Sequence, residues 1–100
     1  MSKLSIVHFF RAPIERMETL SVGDRVELLT HKRDRKIVIL KTGDSTYDVL
    51  ESGFKENVFP DVPHSDVLKW LKRLKPIEFP KNRTFFIEVV PAKRVPLGLD

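Results

Sequence analysis

The apolar positions of the chain form short strand-like runs as far as residue 50 and take up a helical spacing from residue 65 onward. Leu4 to Phe10, interrupted by Ser5 and His8, reads as a first strand. Ala12 to Leu20 starts with Pro13 and repeats Ile14, Met17 and Leu20 at a spacing of three, the pattern of a short helix entered through proline. Arg25 to Thr30 and Lys36 to Lys41 are further strands. Gly43-Asp44 then turns the chain into a third run ending near Leu50, because glycine accepts the positive φ of a two-residue hairpin loop.

Two turns set the expected register. Pairing Thr42 with Ser45 places Leu40 against Tyr47 and Val38 against Val49, and pairing His31 with Arg35 places Leu28 against Val38 and Val26 against Leu40. Both put Val26, Leu28, Val38, Leu40, Tyr47 and Val49 on one buried face of a meander. The opposite face carries Arg25, Glu27 and Asp48 beside Leu29, Ile37, Ile39 and Leu50, enough apolar surface for a second layer over part of it.

After residue 65 the period changes. Ser65 is the expected N-cap, Asp66 complements the positive end of the helix dipole, and Pro76 is expected to end the helix. Val67, Leu68, Trp70, Leu71 and Leu74 share an arc of roughly 160°, with Asp66, Lys69, Lys72 and Arg73 opposite. Ile77 to Phe79 and Thr84 to Val90 bracket Pro80-Lys81-Asn82-Arg83 and read as a hairpin. The predicted class is therefore α+β: a small antiparallel β-sheet, meander plus C-terminal hairpin, with one amphipathic helix packed on it. Residues 1–100 read as a single domain whose last part, 91–100, is an extended or mobile tail.

A chain of 100 residues, 41 % apolar and 32 % charged, has room for one core and one shallow site. It has no cysteine, which excludes disulfides, thiolate metal sites, iron–sulfur clusters and cysteine nucleophiles. No apolar run is long enough to span a bilayer or form a leader, so a cytoplasmic protein without membrane contact is expected. Scarce amides and alanines with plentiful Lys, Arg, Glu and Val resemble a thermophile composition.

The formal net charge of +4 hides a segregation. Residues 31–41 carry a net +4, residues 42–61 a net −4, and residues 62–75 a net +3. The first cationic cluster is the hairpin tip with Lys32, Arg33, Arg35 and Lys36, and the second is the outer helix face with Lys69, Lys72 and Arg73. Cations at a protruding tip and at helical spacing can follow a phosphate backbone, although tips and outer helix faces are also where charge belongs in any soluble domain. Most of the seven phenylalanines are expected in the core, with Phe9, Phe54 and Phe86 left as candidate surface rings.

Catalytic and cofactor motifs are missing. His8, His31 and His64 fall in separate contexts without metal-ligand spacing, and the scattered Gly23, Gly43, Gly53 and Gly98 make no phosphate loop or dinucleotide fingerprint. No serine lies in a nucleophile elbow, and Asp44 and Asp48 are explained by turn and strand roles. No cofactor is expected. The leading expectation is a small basic non-enzymatic binding domain that contacts DNA or RNA phosphates through the seven named cations. A protein-interaction or self-associating module is the alternative, and a small hydrolase or nuclease assembled from distant residues is a third.

Overall fold

The computed structural model describes residues 1–92, so the expected tail lies outside the described residues from 93 onward. The described chain forms strands β1 (Ser2–Ser5), β2 (Arg25–Leu29), β3 (Lys36–Lys41), β4 (Thr46–Ser52), β5 (Glu56–Pro63) and β6 (Thr84–Val90), with helices α1 (Arg11–Met17) and α2 (His64–Glu78). The strands build one antiparallel sheet in the order β1-β6-β2-β3-β4-β5. An α+β architecture with an amphipathic helix on an antiparallel sheet is what the patterning predicts.

The expected C-terminal hairpin is replaced by something longer-ranged. Ile77 and Glu78 form the last turn of α2, and β6 inserts between β1 and β2. Pro76 does not stop the helix, because a proline in the final turn frees one carbonyl, that of Lys72, and both residues are exposed to water. Ser65 is not the cap either: Pro63 holds that position in extended geometry without a side-chain cap, while the His64 N–H donates to the Ser45 carbonyl at 2.9 Å.

The register of β3 is shifted by one residue against both neighbours. Three residues separate Thr42 from Thr46, whose carbonyl accepts the Thr42 N–H at 3.0 Å, and the β2–β3 loop closes on Thr30 and Arg35 at 3.1 Å. Val26 therefore faces Ile39 and Leu28 faces Ile37, while Val38 pairs with Leu50 and Leu40 with Asp48. Since side chains alternate with a period of two, this slip exchanges the faces of β3. Ile37 and Ile39 join the core, and Val38 and Leu40 turn to the opposite face.

The core lies between the sheet and the helices. Val67, Leu71 and Leu74 of α2 pack with Val26, Leu28, Ile37, Ile39, Tyr47, Val49, Phe85 and Ile87 from the sheet. Each such fully buried side chain stabilises the fold by about 1.5–3 kcal/mol, an upper estimate. Phe9 is fully buried, with ring centroids 4.9 Å from Phe79 and 5.2 Å from Phe85. To reach that position the chain leaves β1 at Ser5, whose hydroxyl accepts the Val7 N–H, so the predicted strand 4–10 is cut short. β5 was hidden by Pro60 and Pro63, residues that an edge strand tolerates because one side of its backbone needs no partner.

Candidate functional site

Two loops meet at one end of β2 and β6. Leu29 pairs with Phe86, so the β2–β3 loop and the connection from α2 to β6 emerge side by side. Between them lies a depression of about 420 Å³, lined by Lys32 and Arg35 from one loop and by Lys81 and Arg83 from the other. Asp34, exposed, and Glu78, buried, are the carboxylates among its lining residues.

The β2–β3 loop is ordered by its own hydrogen bonds. The Arg33 N–H donates to the Thr30 carbonyl at 2.9 Å, with Arg33 at φ 60°, and the Thr30 hydroxyl donates to Asp34 Oδ1 at 2.8 Å. That hydroxyl, followed by a backbone hydrogen bond and the nearby Arg35 and Lys32, holds the Asp34 carboxyl below its ordinary range. Arg35 is half-buried and reaches across to α2, where Nη1 donates to the Ile77 carbonyl at 3.3 Å. It thereby occupies an acceptor at the helix C-terminus, where a cation also complements the dipole. The Arg33 guanidinium lies 4.9 Å above the Phe86 ring, and the His31 ring stacks on Phe86 at 6.1 Å.

The seven expected cations do not share one place. Lys32 and Arg35 line the depression, with Arg33 beside it on Phe86. Lys36 borders a different hollow of about 390 Å³ on the sheet face away from α2. Lys69, Lys72 and Arg73 are exposed along α2, outside both hollows, and Arg73 lies 4.9 Å over the Trp70 ring, itself stacked on Phe59 at 4.1 Å. Lys72 sits about 8 Å back along the helix axis from Ile77, which Arg35 touches. Lys81 and Arg83 lie in the segment 80–83 that reads as a turn, and two cations within those four residues are the sequence signal for them.

A buried carboxyl pair lies behind the depression. Glu78 is 0 % exposed and accepts the Phe54 N–H at 2.8 Å and the Lys55 N–H at 3.1 Å. Gly53 permits this approach, since a side chain there would collide with the Glu78 carboxylate and the Arg35 stem. Glu51, 3 % exposed, accepts from Asn57 Nδ2 at 2.9 Å, while its Oε2 is buried without a donor. Burial, then the hydrogen bond and charge of Glu78, push the Glu51 carboxyl up against the opposing effects of Asn57 and Lys55. Burial opposes ionisation of Glu78 as well, but the Phe54 amide, the bond with Glu51, the Lys55 amide and Arg35 together hold it low. Of the two, Glu51 is thus the carboxyl that holds a proton more tightly and Glu78 the one that favours ionisation.

Among the described residues, no three His, Asp or Glu side chains are grouped to hold a metal ion, and no helix is long and apolar enough to cross a membrane. No protein-family model, curated protein or solved structure matches this chain.

Proposed function

We propose that this chain is a small non-enzymatic domain that binds the phosphates of DNA or RNA in the depression between the β2–β3 loop and the α2–β6 connection. The observation that supports this reading is the convergence of Lys32, Arg35, Lys81 and Arg83 from two sequence-distant loops on one hollow. The two carboxylates that line it offset these cations only in part. Arg35 and Lys32 act on Asp34 and Arg35 on Glu78, but four cations against two carboxylates still leave the depression with an excess of positive charge.

Phosphate binding releases counterions, and the salt dependence of affinity counts them. Replacing Lys32, Lys81 and Arg83 by alanine leaves the Arg35 clamp on α2 intact. Fluorescence anisotropy with a labelled oligonucleotide over a salt series should then show affinity reduced by about tenfold or more and a log–log slope shallower by about two to three. Unchanged affinity and slope would reject this site. The double variant K69A/K72A tests the helix face separately, and a comparable loss there would extend the binding surface along α2.

A further inference from the structure

The sheet face away from α2 carries an apolar row that becomes exposed toward β5. Val38, Leu50 and Val58 are direct partners across β3, β4 and β5, so their side chains form one stripe. Exposure rises outward along it, from 7 % at Val38 to 60 % at Val58. The stripe ends on β5, the outermost strand, whose far edge has no partner strand among the described residues. The unpaired backbone N–H and C=O groups of such an edge are a template for another strand, and the exposed Val58 beside them gives the pairing apolar surface to bury.

The charges beside Val58 identify that strand. Lys55 lies three residues before it and Asp61 three after, and both are exposed. When a strand pairs antiparallel with a copy of itself about a two-fold axis at residue 58, residues equally far before and after 58 face each other. Lys55 of each chain then meets Asp61 of the other, Glu56 meets Pro60, Asn57 meets Phe59, and Val58 meets Val58. No like charges are opposed. Sliding the axis half a residue toward Phe59 would set Glu56 against Asp61, two carboxylates. Pro60, which has no N–H, and Asp61, at φ 55°, confine the backbone hydrogen bonds to a few residues around Val58, so that Lys55 and Asp61 meet as side-chain pairs just beyond either end of the ladder. We infer that β5 is a self-association edge: two copies of this chain pair through residues 56–60 about a two-fold axis at Val58, joining their sheets and their Val38–Leu50–Val58 stripes.

The inference stands independently of nucleic-acid binding. The absence of cysteine allows a clean test, because a single introduced thiol can bond only to that of another chain. Partner residues across a ladder have Cα atoms about 4.5–5.5 Å apart, within disulfide reach. Under mild oxidation Val58→Cys should give a disulfide-linked dimer, whereas Val22→Cys, at a position of similar exposure (55 %), should stay largely monomeric. Sedimentation of the unmodified chain should show a concentration-dependent dimer. Lys55→Glu should weaken it about fivefold or more, since it places like charges at both ends of the ladder. Lys55→Glu combined with Asp61→Asn, which keeps a residue tolerant of positive φ, should recover part of that loss. A monomer at all concentrations, equal cross-linking at 22 and 58, or no response to Lys55→Glu would each overturn the inference.

Discussion

The Glu51–Glu78 pair makes the stability of the fold depend on pH in two opposite senses. Glu51 binds its proton more tightly in the folded chain, so the stability it contributes is complete below the ordinary glutamate range and is lost as pH rises through its elevated pKa. Glu78 behaves in reverse: its contribution is present above the ordinary range and is lost as pH falls through its depressed pKa. Glutamine at 51 mimics the protonated carboxyl, able to accept from Asn57 and donate to Glu78 at any pH. Glu51→Gln should therefore match the unmodified chain in acid and exceed it by about 1 kcal/mol near pH 8. Glu78→Gln removes the charge that accepts the Phe54 and Lys55 amides and should cost about 2–3 kcal/mol near neutrality. Urea unfolding at several pH values measures both, and a Glu51→Gln variant destabilised at pH 8 would contradict the raised affinity of Glu51 for its proton. Neither glutamate was distinguishable in the sequence, because burial of a carboxyl depends on partners 20 or more residues away, as Phe54 is from Glu78.

At the scale of elements, α2 and the strands β2, β3 and β4 were legible because each has a run of apolar residues at one period. The register was not, and β3 shows why. Ile37, Val38, Ile39 and Leu40 are apolar at every position, so either alternate set can fill the core. Two expected turns that were each wrong by one residue agreed with each other, since both errors fell on the same strand and left β2 and β4 facing correctly. Strand β5 and the insertion of β6 between β1 and β2 were illegible for a different reason, as both depend on contacts far apart in sequence. The candidate site shared that fate: its Lys32 and Arg35 half was visible as a charged tip, and its Lys81 and Arg83 half required the β2–β6 pairing. The register has a direct energetic test. Ile39→Ala empties a fully buried site between Val26 and Val49 and should cost about 3–4 kcal/mol, whereas Leu40→Ala on the half-buried opposite face should cost about 1 kcal/mol. The reverse order in chemical unfolding would restore the register in which Leu40 points inward.

At the scale of the whole molecule, the proposed binding depression and the proposed self-association edge lie at separate parts of one sheet. The depression opens beside β2 and β6, while β5 is the opposite margin, three strands beyond β2. A two-fold axis through the paired β5 strands runs perpendicular to the joined sheet, so both α2 helices stay on one face and both depressions stay open. Counting strand spacings across the axis, and allowing for loops at opposite strand ends, the two depressions stand about 40 Å apart. Once one depression holds a nucleic-acid strand longer than this span, the second binds at an effective concentration set by the tether instead of by bulk solution. The disulfide-locked Val58→Cys dimer should consequently bind a strand of about 40 nucleotides at least tenfold more tightly than its reduced, diluted monomer does. A strand of about eight nucleotides, too short to reach both depressions, should show no such difference per site. Equal enhancement for both lengths would mean that locking alters the depression itself. Enhancement for neither would separate self-association from phosphate binding as unrelated properties of the fold.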